Sequence, residues 1–458
     1  MKAGILITAS IVMTIGLPGC TPLIQYRSNY TPCVSSDLHR DCADRAVQQY
    51  QPGSAADPGY LLGILEFDDQ GQLFARAQLD AVLNRVAQES ATREFLAVVF
   101  VHGWKHNARE GDDNLNHFRD VLQRLSGTEA ALSLRQGVAP RRVIGIYLGW
   151  RGLSVSTPGL DNLSFWDRKN TAQKVGHGEV TEVLTRLEQI RRIRNTQDPG
   201  THQRSRLIVV GHSFGGAIVF TAVAQILESR FLATAGPTGV SSDVEGFGDL
   251  VVLINPAFEA QLYSPLSDLA TERATYFKSQ LPVMAVLTSE KDSATGFWFP
   301  LGRWFSTWFE KERQESRPNP ISHQDDVIDE GKANIDAVGH FEPYRTHYLR
   351  ATSDNPAQIA AATADARAQS VLGVSQNWED DTPGSTIPFP GSVLERTANS
   401  AGRNPYLVVR VDGKLIPNHD DIWDPRIESF LGHLVEVSAQ SADFEERTQR
   451  RQRAMAAK

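Results

Sequence analysis

The chain has 458 residues, 41% of them hydrophobic and 22% charged, which provides for one large domain with insertions or for two domains and excludes a disordered chain. Its formal net charge is -8, and no long Lys/Arg stretch interrupts that mild acidity, which argues against a nucleic-acid partner. The basic trio Arg191, Arg192 and Arg194 falls in a helical pattern and reads as a solvated face.

Residues 1–19 do not belong to the fold. Lys2 gives a weakly positive start, residues 3–15 form an apolar run of signal-peptide length, and the run breaks at Gly16, Pro18 and Gly19. A membrane-spanning helix would need about 20 apolar residues and no such break. Leu17-Pro18-Gly19-Cys20 resembles a bacterial lipobox, although Pro18 departs from the usual pattern. The resemblance implies cleavage before Cys20 and lipidation of its thiol. Thr21, in place of an aspartate, implies the periplasmic face of an outer membrane. An ordinary secretory signal or an uncleaved anchor is the alternative reading. Cys33 and Cys42 are the other two of the 3 cysteines. In an oxidising compartment they form a small disulfide loop or else remain free thiols. Residues 20–58 are polar, with Pro, Ser and Asp throughout, and are expected to be a tether.

Order begins with the apolar run 61–67, followed by turn residues Asp68-Asp69-Gln70-Gly71 and then Gln72-Leu73-Phe74, a pattern that predicts a hairpin. Helical apolar spacing covers 78–88. Continuous apolar runs then recur at 95–101, 143–148, 207–210, 250–254, 283–287 and 406–411, with helical segments near 115–125, 166–193 and 217–228. Unbroken runs of this kind suit strands covered on both faces. The alternation predicts an α/β fold with a mostly parallel central sheet and helices on both sides. Its core is expected over 59–292 and again over 404–442, where a last strand, a histidine loop and a terminal helix follow one another. Between them, 293–403 is far longer than one crossover requires and reads as a cap inserted before the last strand. The cap opens with Phe297, Trp298, Phe299, Trp304, Phe305, Trp308 and Phe309. These rings either pack the cap onto the core or form an apolar lid that faces acyl chains or a bilayer. Residues 443–458 form a charged tail.

Gly211-His212-Ser213-Phe214-Gly215 has the G-x-S-x-G pattern, directly after a predicted strand and before a predicted helix. A serine turning sharply there needs Gly211 and Gly215, because strand and helix leave no room for side chains beside it. Ser213 would then stand at a helix N-terminus, where unpaired N–H groups favour developing negative charge. With this elbow and His102-Gly103-Trp104 after the strand at 95–101, the chain resembles the α/β-hydrolase superfamily, and in particular bacterial esterase/lipase-like members, from about residue 94 to 436 outside the cap. The resemblance implies that Ser213 is a nucleophile and that the Trp104 and Phe214 backbone N–H groups form an oxyanion hole. His102 is expected to brace its loop.

In this superfamily the chain order is serine, acid, histidine. Asp292, after the strand at 283–287, matches the acid position, with Glu290 as competitor. The preceding strand ends in Asn255, which cannot ionise. His419, between the last strand and the terminal helix, matches the base; His340, in a Gly-His turn with no strand before it, is the alternative. No CxxC, HExxH or phosphate loop is present, so neither metal nor cofactor is expected. The expected activity is hydrolysis of carboxylic esters through an acyl-enzyme, with a small-molecule or lipid ester as substrate and the membrane as a partner through the N-terminal lipid. Thioester or amide hydrolysis and a non-catalytic binding scaffold are the competing readings.

Overall fold

The computed structural model describes residues 21–52, 58–154, 164–197, 204–236, 239–300, 303, 311–375, 378, 382 and 384–439. The signal run, Cys20 and the charged tail 443–458 lie outside these residues.

A 12-stranded sheet organises the chain. Its strands are β1 (Cys33–Ser35), β2 (Val47–Tyr50), β3 (Tyr60–Phe67), β4 (Phe95–Val101), β5 (Arg142–Trp150), β6 (Arg206–His212), β7 (Leu250–Ile254), β8 (Met284–Ser289), β9 (His347–Ala351), β10 (Thr386–Phe389), β11 (Ser392–Arg396) and β12 (Tyr406–Val411). Their spatial order is β1-β2-β3-β5-β4-β6-β7-β8-β12-β9-β11-β10. Neighbours from β3 through β12 to β9 are parallel, as are β1 and β2. Among the described residues, the antiparallel pairs of this sheet lie near its edges, at β2–β3, β9–β11 and β10–β11.

The main helices are α1 (Arg76–Ser90), α2 (Asp113–Gln136), α3 (Ser164–His177), α4 (Val180–Gln197), α5 (Phe214–Leu232), α6 (Ala260–Arg273), α7 (Ala364–Ser375) and α8 (Pro425–Ala439). Alternate residues of each central strand enter opposite cores. Leu96, Val98 and Phe100 of β4 join Leu115 and Phe118 of α2 and Ile427 and Phe430 of α8. Ala97, Val99 and Val101 join Val82 of α1, Val183 of α4 and Ile218 of α5 on the other side. Because both faces are covered, these strands show no polar alternation in sequence.

Several expectations need correction. The helix predicted over 166–193 is two helices. A Cβ at Gly178 would lie 2.3 Å from the Gly71 carbonyl oxygen, which instead accepts from Glu179 N at 2.9 Å. The expected hairpin beyond Phe67 is reduced to one bridge, with Leu73. Arg191 and Arg194 do not form a solvated face: they pair with Asp249 and Glu94 at 2.9 and 2.8 Å, leaving Arg192 the exposed member.

The tether expected over 20–58 contributes β1 and β2 to the sheet edge. It is held by polar contacts rather than an apolar run, which is why its composition reads as linker. Tyr26 N and Arg27 N each donate to Glu66 at 2.8 Å, and the fully buried Arg27 guanidinium donates to Ala108 O and Glu110 at 2.9 Å. Of the two readings of the cysteines, the structure has the disulfide, Cys33–Cys42.

The cap expected over 293–403 is partly sheet. β9 lies parallel to β12, and β11 and β10 extend the sheet beyond it. These strands are four or five residues long; β9 and β11 interleave His, Arg and Glu with apolar residues, and β10 carries Thr and Pro, so none has the run that marks a central strand. The rest of this segment includes a two-stranded hairpin, Gln314–Asn319 with Gln324–Asp329, and α7, which packs on α2 and α8. The aromatic stretch divides: Phe299 is buried in the core, whereas Phe297 and Trp298 are each 59% exposed. Trp304, Phe305, Trp308 and Phe309 lie outside the described residues.

Candidate active site

The parallel strands carry their C-terminal ends to one edge of the sheet, where open α/β sheets place ligands. His102 follows β4, Ser213 follows β6, Asn255 follows β7, Asp292 lies beyond β8 and His419 beyond β12. Five loops from neighbouring strands therefore converge although their residues span more than three hundred positions.

The bend at Ser213 has φ 55° and ψ -120°, a left-handed conformation that a serine rarely adopts. Its neighbours hold it there. Ser213 N donates to Ile254 O at 2.9 Å, and Ala257 N donates to Ser213 O at 3.1 Å, so both backbone groups are satisfied by the end of β7 and its loop. The elbow glycines are required sterically. A Cβ at Gly215 would stand 2.0 Å from Val101 O, and one at Gly211 would stand 2.5 Å from Gly215 O.

His419 Nε2 lies 2.6 Å from Ser213 Oγ, and His419 Nδ1 lies 2.8 Å from Asp292 Oδ1. The carboxylate only accepts, so Nδ1 carries the imidazole hydrogen and Nε2 is left to accept from the serine hydroxyl. Burial acts to raise the Asp292 pKa, but His419, Thr295 and their hydrogen bonds outweigh it and hold the carboxyl down at about 2. Burial likewise acts against the charged form of His419, yet the Asp292 carboxylate, its hydrogen bond and Asp420 leave the pKa raised. Such a pair stabilises an imidazolium when the ring takes a proton.

Glu290 is exposed and faces solvent, so Asp292 is the carboxylate that meets the imidazole. His340 does not meet Ser213. Its Nδ1 lies 2.8 Å from Arg410 Nη1 and its Nε2 lies 2.9 Å from Thr295 Oγ1. His102 braces its loop: its Nε2 accepts from Trp150 N at 3.0 Å, so Nδ1–H donates to Gly103 O at 2.9 Å. Burial pushes its pKa down to about 4.

The His102-Gly103-Trp104 turn lies against the serine, since a Cβ at Gly103 would be 2.8 Å from Ser213 Cβ. Among the described residues neither Trp104 N–H nor Phe214 N–H has an acceptor. Phe214 N–H is also at the first turn of α5, where the helix dipole favours an anion. Phe165 bridges these two residues, 5.5 Å from the Trp104 ring and 4.8 Å from that of Phe214.

Sequence reasoning missed the supports of the His419 loop. Asn255 Nδ2 and His212 Nε2 both donate to the His419 carbonyl oxygen, at 2.9 and 3.0 Å, and Ser289 Oγ donates to Ile416 O at 2.5 Å. Burial, reinforced by the adjacent His419, pushes the His212 pKa down to about 3, so it serves as a neutral donor. The available signal was position: each of these residues ends a strand or immediately follows one.

Residues 98–384 match the family described as "Alpha/beta hydrolase family". No curated protein sequence matches the chain. Among solved structures it is similar to phospholipase PlaB from Legionella pneumophila in complex with thio-NAD, at 13% identity and TM-score 0.26, over 77% of this chain and 61% of that one. It is also similar to Trichoderma reesei cutinase in complex with a C11Y4 phosphonate inhibitor, at 13% identity and TM-score 0.15, over 40% of this chain and 65% of that one. The matched region thus spans about three fifths of the PlaB chain.

Proposed function

We propose that this chain, which belongs to the alpha/beta hydrolase family, is a serine hydrolase that cleaves carboxylic esters. One observation carries the proposal: Ser213 Oγ, the His419 imidazole and the Asp292 carboxylate stand in one hydrogen-bonded line, at 2.6 and 2.8 Å. His419 Nε2 takes the serine proton as Oγ attacks the carbonyl carbon. The oxyanion that forms is received by the Trp104 and Phe214 N–H groups, and Asp292 stabilises the imidazolium. The imidazolium then protonates the leaving alcohol as its C–O bond breaks. A water deprotonated by His419 attacks the acyl-enzyme carbonyl, the Ser213 Oγ–acyl bond breaks to release the acid, and the proton returns from His419 to Oγ.

The reading extends to location. Cys20, with its preceding apolar run, is proposed to carry a lipid that holds the enzyme at the periplasmic face of an outer membrane, close to lipid or other envelope esters. Labelling with a fluorophosphonate probe tests the chemistry. The protein should react and Ser213→Ala should not; an unlabelled wild-type protein in a folded sample would remove the case for a hydrolase. Cys20→Ser should move the protein into the soluble fraction, and unchanged membrane retention would reject lipidation at that residue.

A further inference from the structure

Asp292 is held by more than the imidazole. Its Oδ1 accepts from His419 Nδ1, from Ala294 N at 3.0 Å and from Thr295 N at 3.1 Å. Its Oδ2 is hydrogen-bonded to the Thr295 hydroxyl. That hydroxyl also meets His340 Nε2 at 2.9 Å, and the far nitrogen of the same ring meets Arg410 Nη1 at 2.8 Å.

The ends of this chain dictate where its protons lie. A guanidinium only donates, so His340 Nδ1 accepts and Nε2 carries the ring hydrogen. Nε2–H then donates to Thr295 Oγ1, and the threonine's own hydrogen goes to the carboxylate, which only accepts. The donor direction therefore runs from Arg410 through His340 and Thr295 to Asp292. Burial opposes a charge on His340, and although Asp292 favours one, Arg410, Arg345 and His419 oppose it too. Its pKa is pushed down to about 4, in keeping with a neutral ring.

Close glycine contacts keep the two segments together. A Cβ at Gly296 would be 3.0 Å from His340 Cε1, and one at Gly339 would be 1.8 Å from Thr288 Oγ1. Val338 N donates to Phe258 O at 3.1 Å, which fixes the histidine turn to the loop after β7.

We infer that His340 is a positioning residue: fixed in one tautomer by Arg410, it acts through Thr295 to lock the second oxygen of Asp292, so that the first stays aimed at His419. The inference rests on the proposed roles of Ser213, His419 and Asp292. It gives the histidine that competed for the role of base a different task in the same site.

Steady-state hydrolysis of p-nitrophenyl butyrate across pH, alongside fluorophosphonate labelling, tests it in the full chain. Thr295→Val and His340→Leu should each lower kcat about ten- to a hundredfold with little change in KM. Both should also move the acid limb of the pH profile downward, because a loosened carboxylate supports the His419 charge less well. Thr295→Ser keeps the hydroxyl, and His340→Gln keeps an acceptor for Arg410 and a donor for Thr295, so both should stay near wild type. Folded Thr295→Val with wild-type kcat and acid limb would overturn the inference, and it decides the matter if His340→Leu does not fold. Equal losses in His340→Gln and His340→Leu would also overturn it, since ring packing rather than donor direction would then be responsible. If the wild-type protein neither labels nor turns over substrate, the hydrolase reading itself fails, which is a separate result.

Discussion

The side-chain amide of Asn255 donates to the main-chain carbonyl of His419 at 2.9 Å, and its Oδ1 accepts from Ser289 N at 3.0 Å. One side chain thus ties the ends of two strands to the loop that carries the imidazole. Asn255 adopts φ 45°, a left-handed conformation that asparagine tolerates better than most residues. Its value at this position is therefore both conformational and as a donor to a carbonyl.

Asn255→Ala should destabilise the fold by about 1–3 kcal/mol, because it removes a donor from the His419 carbonyl and leaves Ser289 N without its acceptor. It should also lower kcat about ten- to a hundredfold by loosening the imidazole. Thermal melts and steady-state kinetics check both effects. Wild-type kcat in a destabilised variant would show that His212 and Ser289 hold the loop without it.

Activity should fall as pH drops through the His419 pKa, since only the neutral ring can accept the serine proton. That pKa lies above its ordinary value of 6.5 because of Asp292, so the acid limb should lie above 6.5 as well. Asp292→Asn removes the carboxylate but leaves the burial that opposes charge on the ring. The acid limb should consequently move downward, while kcat falls about ten-thousandfold. An acid limb that stays in place in Asp292→Asn would assign it to another group.

Gly215→Ala should prevent a native elbow, because the added methyl would meet Val101 O at 2.0 Å and neither backbone can give way without moving a central strand. Overpacking of this kind costs about 1–3 kcal/mol or more. The expected outcome is a lower melting temperature together with loss of fluorophosphonate labelling. A stable, fully labelled variant would show that the helix can shift to accept it.

Cys33 and Cys42 are separated by 9 positions, and closing so short a loop is worth about 2–3 kcal/mol through the unfolded chain. The pair clips β1 at the sheet edge, far along the sheet from Ser213. Cys33→Ser with Cys42→Ser should therefore lower the melting temperature and speed proteolysis near the N-terminus, with kcat unchanged. A loss of kcat in the folded variant would contradict this separation of edge from site.

The central strands were legible because their apolar runs are local: a strand buried on both faces is apolar at most positions, whatever lies beside it. The edge strands β1, β2, β9, β10 and β11 were not, since a short strand held by hydrogen bonds and buried polar side chains, such as Gln48, His347 and Arg396, shares its composition with loops. Arg27 makes the point, a fully buried guanidinium in what reads as a tether.

By itself the chain order determined the α/β architecture and the bend at Ser213, because G-x-S-x-G between a strand and a helix encodes a steric requirement within five residues. Chain order favoured His419 over His340 as the partner of that serine, but only the tertiary structure shows the contact: His419 Nε2 meets Ser213 Oγ across 206 positions, whereas His340 Nε2 meets Thr295 Oγ1, 45 positions away. Contacts at such separations depend on strand order across the sheet, which no local pattern records.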